Sequence, residues 1–457
     1  MGMWLLLVIC LTPSSAQTLS SAQQAKVDDA IHEVLGATGV PSASLAIVKN
    51  GRIAYVHAYG DARSEPQVPA TPAMRYPVGS ISKQFTASAI LLLAEEGKLS
   101  LDDPVARFLP ELTRAKEVTV RQLLSHTAGY QDYWPQDYVP SPMLEPVRAE
   151  QIMKRWAQKP LDFDPGTKWH SNTNYVIAGQ IVEKVARQSL FLFLKDRIFS
   201  KLQMESVWDV DDKPLGTTDP QGYMRYALGP LRPAPKEGRG WLFAAGELAM
   251  TAEDLAKWDI AMLEQKLLKP ASYRQFATDV LLKSGLATGY GLGVRVILAD
   301  GRRALVHDGE VSGFTAENVV FPDDGIAIIV LTNQDAASAA GEIARRVTHV
   351  VFAEADTSAG QTTAQARQIF DDLQRGTINR TLFTSNGNAY FDDRALADFA
   401  ASLKPLGTPA EFTQTAERLR GGMTERVYNV KFPSQTLRVW TYEMPDGKLE
   451  QYQVAAQ

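Results

Sequence analysis

The sequence of 457 residues has a single cysteine, Cys10, and it lies within an apolar N-terminal run. Were that run removed, no thiol would remain. Disulfides, thiol catalysis and cysteine-ligated metals would then all be excluded. Blocks of basic residues are also missing and the net charge is -5, which argues against a nucleic-acid-binding surface. No H-E-x-x-H or comparable His/Asp/Glu spacing is present, so neither a metal nor another cofactor is expected. Gly289-Tyr290-Gly291-Leu292-Gly293 is glycine-rich, but it lacks the lysine and the following helix of a phosphate loop. It reads as the start of a strand.

What is present has the balance of an ordinary globular chain, 45% hydrophobic and 22% charged, and is long enough for two or three domains. Residues 1–16 read as a secretory signal. Trp4 to Leu11 forms the apolar stretch, too short to span a bilayer, and Ser14-Ser15-Ala16 supplies small residues before a cleavage at Gln17. The expected location is therefore periplasmic or secreted, with no transmembrane span in the mature chain.

Val27, Ile31 and Leu35 step through an amphipathic helix, Gln23 to Leu35. Two β-rich runs, Ala43–Val48 and Ile53–Tyr59, flank Asn50-Gly51, a strong short hairpin signal. From Tyr133 to Leu228 the sequence is proline-rich and reads as a mostly helical insertion. Thr251 is the expected N-cap of a helix over Glu253–Leu263. Runs at Tyr290–Ile297, Ala304–His307, Thr315–Phe321 and Ile326–Leu331 are joined by short turns, which makes them antiparallel neighbours. Glu342 to Phe352 closes as a helix. The expected architecture is α+β: an antiparallel sheet joining the early hairpin to the late meander, with terminal helices on one face and the helical insertion on the other. A polar, small-residue stretch at 356–363 reads as a linker, dividing a domain over 17–355 from a small α+β domain over 364–457.

The chemistry centres on Tyr76-Pro77-Val78-Gly79-Ser80-Ile81-Ser82-Lys83. Ile81, Phe85, Ala89 and Leu92 recur at helical spacing, so Ser80 and Lys83 stand on one face of a helix start. A serine hydroxyl becomes a nucleophile when a base takes its proton. A lysine serves as that base once burial or a nearby cation depresses its pKa. Backbone N–H groups at a first helical turn also point toward an oxyanion formed there.

Three distant stretches complete the pattern: Leu123-Leu124-Ser125-His126-Thr127-Ala128-Gly129, Pro165-Gly166-Thr167-Lys168-Trp169-His170-Ser171-Asn172, and His307-Asp308-Gly309-Glu310. In this order they resemble the serine β-lactamase and penicillin-recognising hydrolase superfamily, in the branch of class C β-lactamases, D-alanyl-D-alanine carboxypeptidases and related esterases. The resemblance covers about residues 20 to 355 and implies a β-lactamase/transpeptidase-like fold. It implies that Ser80 forms an acyl-enzyme and that Lys83 is its general base or keeps the site positive. His307 would stand at the third motif, and the N–H groups of Ser80 and Glu310, beside Gly309, would form the oxyanion hole. Asn172 would hold the substrate amide. His126 is expected to be structural.

One departure stands out. The family's second motif reads Tyr-x-Asn, whereas here His170-Ser171 precede Asn172 and the segment is one residue shorter. Either His170 replaces the tyrosine, or the tyrosine is deleted and His170 was its neighbour. Histidine suits proton relay near neutral pH. The expected substrate is a small molecule or peptide: a peptidoglycan-type D-alanyl peptide or an ester, alternatively a β-lactam. A catalytically impaired binding protein on the same scaffold is the reading from another class.

Overall fold

The computed structural model describes residues 18–136, 138–299, 301–355 and 357–456. The expected signal segment, 1–16, thus lies outside the described residues. The chain divides into two compact units, Met1–Val350 and Val351–Gln457.

In the first unit, α1 (Ser21–Thr38) is started by a capping box between Ser20 and Gln23 and buries Val27, Ile31 and Val34. Strands β1 (Ser42–Lys49) and β2 (Arg52–Ser64) pair as the expected hairpin, Lys49 opposite Arg52. Asn50 and Gly51 both take left-handed φ values, 53° and 71°, which a two-residue turn matched to strand twist requires. Strand β3 (Gln67–Pro69) follows, then a 3₁₀ turn at Gly79–Ile81 that feeds α2 (Ser82–Glu95). The insertion carries α3 (Thr173–Ala186), shorter helical pieces and strands of only two residues. Thr251 caps α4 (Ala252–Leu263), its hydroxyl accepting from the Asp254 N–H. The meander is β4 (Arg295–Ala299), β5 (Arg302–Val311), β6 (Phe314–Phe321) and β7 (Ile326–Thr332), after which α5 (Ala339–Ala355) ends the unit.

All seven strands form one antiparallel sheet, ordered β3-β2-β1-β7-β6-β5-β4. Register assigns its faces. Glu317, Val330, Leu45 and His57 stand opposite one another across four strands and so share a face. On that face Tyr55 and Tyr59 donate to Asp28 of α1, and Glu317 approaches Gly341 of α5. The neighbouring row, Asn318, Ile329, Ala46 and Val56, lies on the opposite face, toward α2 and α4. There Trp258 Nε1 donates to Gln84 Oε1, Gln84 Nε2 to Asn318 Oδ1, and Asn318 Nδ2 to Asp259 Oδ2, at 2.8, 3.0 and 2.7 Å. This buried chain ties α2 to both the sheet and α4.

The second unit packs α6 (Thr357–Gln374) and α7 (Asp393–Leu403) with a four-stranded antiparallel meander. Its strands are β8 (Glu411–Arg420), β9 (Met423–Lys431), β10 (Thr436–Glu443) and β11 (Leu449–Ala456). Its core includes Ile369, Phe370, Leu373, Tyr428, Val439 and Tyr452.

Two local expectations change. The linker read at 356–363 is helical from Thr357 onward, because the buried stripe of Ala366, Ile369, Phe370 and Leu373 supports a helix that its polar first turns merely extend. The strand expected from Tyr290 begins only at Arg295. Gly293 takes a φ of +89°, and a Cβ on Gly291 would fall 2.2 Å from the Phe276 carbonyl, so this stretch is a loop pressed against neighbouring backbone.

The core beneath the nucleophile segment is aromatic. Phe85 is fully buried, its ring 4.6 Å from Trp258 and 5.5 Å from Phe199. Phe85→Ala is expected to remove about 3–5 kcal/mol of stability, read as a lower urea midpoint with an unchanged slope. A loss below about 1 kcal/mol would show that α2 is not anchored through this residue.

Candidate active site

Ser80 sits in the 3₁₀ turn and Lys83 one turn further on, so both point to the same side. Lys83 Nζ donates to Ser80 Oγ at 2.5 Å and to the Ala245 carbonyl at 3.3 Å. Lys83 is only 2% exposed. Burial lowers its pKa to about 8, although the Asp132 and Asp308 carboxylates act in the opposite direction. Roughly a tenth of Lys83 is thus unprotonated at pH 7, against well under 1% for an ordinary lysine.

The segment is held by its surroundings. Thr86 Oγ1 donates to the Ala244 carbonyl, and Ser82 Oγ accepts from the Leu248 N–H. From the sheet, β5 closes directly on the turn. A Cβ on Gly309 would lie 2.0 Å from the Val78 carbonyl oxygen, and one on Gly79 would lie 2.7 Å from the Glu310 nitrogen. Only glycine permits this approach, which brings the Glu310 backbone alongside Ser80. Ser80, Lys83, Asn172, Ala245, Gly246, Asp308, Glu310 and Asp335 share one cleft, with an apolar wall that includes Tyr133, Trp134, Tyr138, Leu242 and Val311.

Not every expected residue meets Ser80. Asn172 does line the cleft, but His170 is not among the described lining residues. Its side chain is 56% exposed and lies 3.5 Å from Asp132. The local backbone explains the outward turn. Ser171 takes a φ of 105°, and its carbonyl accepts from His126 Nδ1–H at 2.7 Å. His126 is thus a buried residue that pins this loop, and desolvation holds its pKa well below the usual histidine value.

His307 is buried on the inward face of β5, with Gly309, while Asp308 and Glu310 face out. Its Nδ1 lies 2.6 Å from the Asp308 carbonyl, which can only accept, so Nδ1 carries the proton. Nε2 therefore accepts from the Tyr290 hydroxyl at 2.8 Å. Burial, aided by Lys83, lowers the His307 pKa to about 4, so the ring is neutral at pH 7. Tyr290 was not legible as a site residue, since its glycine-flanked setting read as a strand. Tyr175 is structural: its hydroxyl donates to the Leu124 carbonyl.

Asp132 is the other residue sequence reading missed. Its carboxylate, 5% exposed, accepts from Asn172 Nδ2 at 3.2 Å and from the Trp134 N–H at 3.0 Å. Nothing in Gln131-Asp132-Tyr133 marks it by spacing.

The Beta-lactamase family profile matches residues 27–351. A D-aminopeptidase of Brucella anthropi is 27% identical over 298 residues, covering 64% of this chain and 56% of the relative. The chain therefore spans little more than half the length of such curated relatives. The D-stereospecific amidohydrolase from Streptomyces sp. is 27% identical with a TM-score of 0.62, over 70% of this chain and 96% of that one. The penicillin-binding protein homologue from Pyrococcus abyssi, described as octameric, shares the fold over 95% of this chain and 96% of its own, with a TM-score of 0.64 and 22% identity. The D-amino acid amidase from Ochrobactrum anthropi SV3, solved with D-phenylalanine, shares the fold at a TM-score of 0.64 and 22% identity, over 73% of this chain and all of its own.

Two outcomes follow from the geometry. Activity (kcat/KM) should rise with pH through a midpoint near the Lys83 pKa of about 8, because the free base is the competent form above it. Lys83→Met should lose about a hundred- to ten-thousand-fold and abolish that midpoint. Gly309→Ala should cut acylation at least about tenfold by forcing β5 off the Ser80 turn. Gly36→Ala, where a Cβ meets nothing within 4 Å, should leave it unchanged. Equal effects of the two glycine variants would refute the steric argument.

Proposed function

The chain belongs to the Beta-lactamase family, within the serine hydrolases related to penicillin-binding proteins, and from that premise we propose that it hydrolyses D-aminoacyl amides or peptides through an acyl-enzyme on Ser80. The observation that carries this reading is the 2.5 Å contact between Ser80 Oγ and a Lys83 whose pKa burial lowers to about 8. D-stereospecific amide chemistry is what the names of several relatives describe.

As Ser80 Oγ attacks the acyl carbon, its proton passes to Lys83 Nζ. The N–H groups of Ser80 and Glu310 take the oxyanion. When the C–N bond breaks, Lys83 returns the proton to the departing amine. Water then repeats the sequence on the ester and frees Ser80. Lys83, rather than His170, moves the proton, which fits the outward placement of His170. His307, neutral and fixed by Tyr290, leaves Lys83 free of a second cation. The aromatic wall suits an apolar acyl side chain. Simple esters are accepted by the same chemistry.

The remaining parts of the reading are organisational. Residues 1–16 direct export to the periplasm or beyond, and residues from Val351 onward form a separate small domain. Edman sequencing of the secreted protein should start at Gln17, and an intact Met1 would refute export through this signal.

The decisive experiment mixes the protein with p-nitrophenyl butyrate and D-phenylalanine p-nitroanilide and follows intact mass beside Ser80→Ala. A burst and an acyl adduct on the wild type, absent from the variant, are expected. No adduct and no turnover would refute the hydrolase reading and favour a binding protein on this scaffold.

A further inference from the structure

Asn172 is oriented by what it contacts away from the cleft. Its Nδ2 lies 3.2 and 3.4 Å from the two carboxylate oxygens of Asp132. A carboxylate cannot donate, so the amide nitrogen is committed there and Oδ1 is the atom left for the cleft that Asn172 lines. Asp132 is itself held by the Trp134 N–H and flanked by His170. The other polar groups around Ser80 carry the same sense. Asp308, Glu310 and Asp335 line the cleft, and Lys83 is the one cation among the described lining residues. That cation is already engaged by Ser80 and the Ala245 carbonyl. A substrate carboxylate entering this cleft meets the like charge of three carboxylates, whereas an ammonium finds acceptors on them and on Asn172, with Lys83 as the one opposing cation among the described lining residues.

We propose that Asp132 is a positioning residue that turns the Asn172 carbonyl toward Ser80 and thereby selects acyl donors bearing a free α-ammonium, against N-acylated ones. The inference rests on the hydrolase reading above and deepens it. Acylation removes the positive charge and all but one of the N–H donors, so the acceptors that face the cleft lose most of what a free ammonium would give them.

The test compares D-phenylalanine p-nitroanilide with its N-acetyl derivative, on the wild type and on Asp132→Asn. The wild type should prefer the free amine by at least about 100-fold in kcat/KM. Asp132→Asn should shrink that ratio at least about tenfold, chiefly through KM for the free amine. A general structural defect would lower both substrates together and leave the ratio standing, which would overturn the proposal, as would a wild type indifferent to acetylation. Should Asp132→Asn fail to fold, the wild type decides by its pH dependence. KM for the free amine should rise as the substrate ammonium deprotonates while KM for the acetylated compound stays level. Parallel KM curves would overturn the proposal. Turnover without discrimination refutes this inference alone, whereas absence of turnover and of any Ser80 adduct refutes the hydrolase reading and this inference with it.

Discussion

The burial of one ammonium group organises this molecule. Lys83 is 2% exposed, and among the described residues its ammonium is held by the Ser80 hydroxyl and the Ala245 carbonyl and by no carboxylate. Such a group is easily deprotonated because water no longer supports its charge. Maintaining that dryness takes a helix buried along nearly its whole length, Ser82 through Leu93. It takes a sheet on one side, where the Asn318–Gln84–Trp258 chain satisfies the polar groups that enter the core. It also takes the Ala244–Leu248 segment on the other side, tied to α2 at Ser82 and Thr86. The fold can be read as the enclosure that this depressed base requires.

Around that base the ionisable groups are arranged by sign. His126 and His307 are held neutral by burial and by the Lys83 charge, so neither competes with it as a cation. Of the cleft acids, Asp308 lies 3.6 Å from Arg295, and the other two are engaged by backbone donors. Glu310 accepts from the Ala336 N–H and Asp335 from the Gly313 N–H, each at or below 2.9 Å. They shape the potential of the cleft without forming an ion pair that would restore the lysine's proton affinity in full. His170 stands at the outer margin of this arrangement, on Asp132.

Much of this was legible in sequence because it is local or periodic. Ser80 and Lys83 lie three apart on a helix whose apolar steps are plain, and Asn50-Gly51 announces its turn. The last three runs of the meander fall within β5, β6 and β7. What escaped notice depends on tertiary neighbours. Tyr290 lies in a glycine loop shaped by the Phe276 carbonyl, and only the fold brings it to His307. Asp132 gains its meaning from Asn172, far along the chain. The 356–363 stretch looked like a linker because its composition is polar, whereas the buried stripe that makes it helical begins further on at Ala366.

The strand order carries a consequence for the birth of the protein. Strand β1, near the start, is flanked in the middle of the sheet by β7, near the end of the first unit, with Leu45 opposite Val330. The sheet therefore cannot close until β7 has been made, and long-range pairing of this kind is slow. Until β5 arrives with Gly309, the turn bearing Ser80 has no strand against it, and Lys83 has no dry place in which to lose its proton. The nascent chain emerges chemically inert and acquires its nucleophile only on completion of the fold.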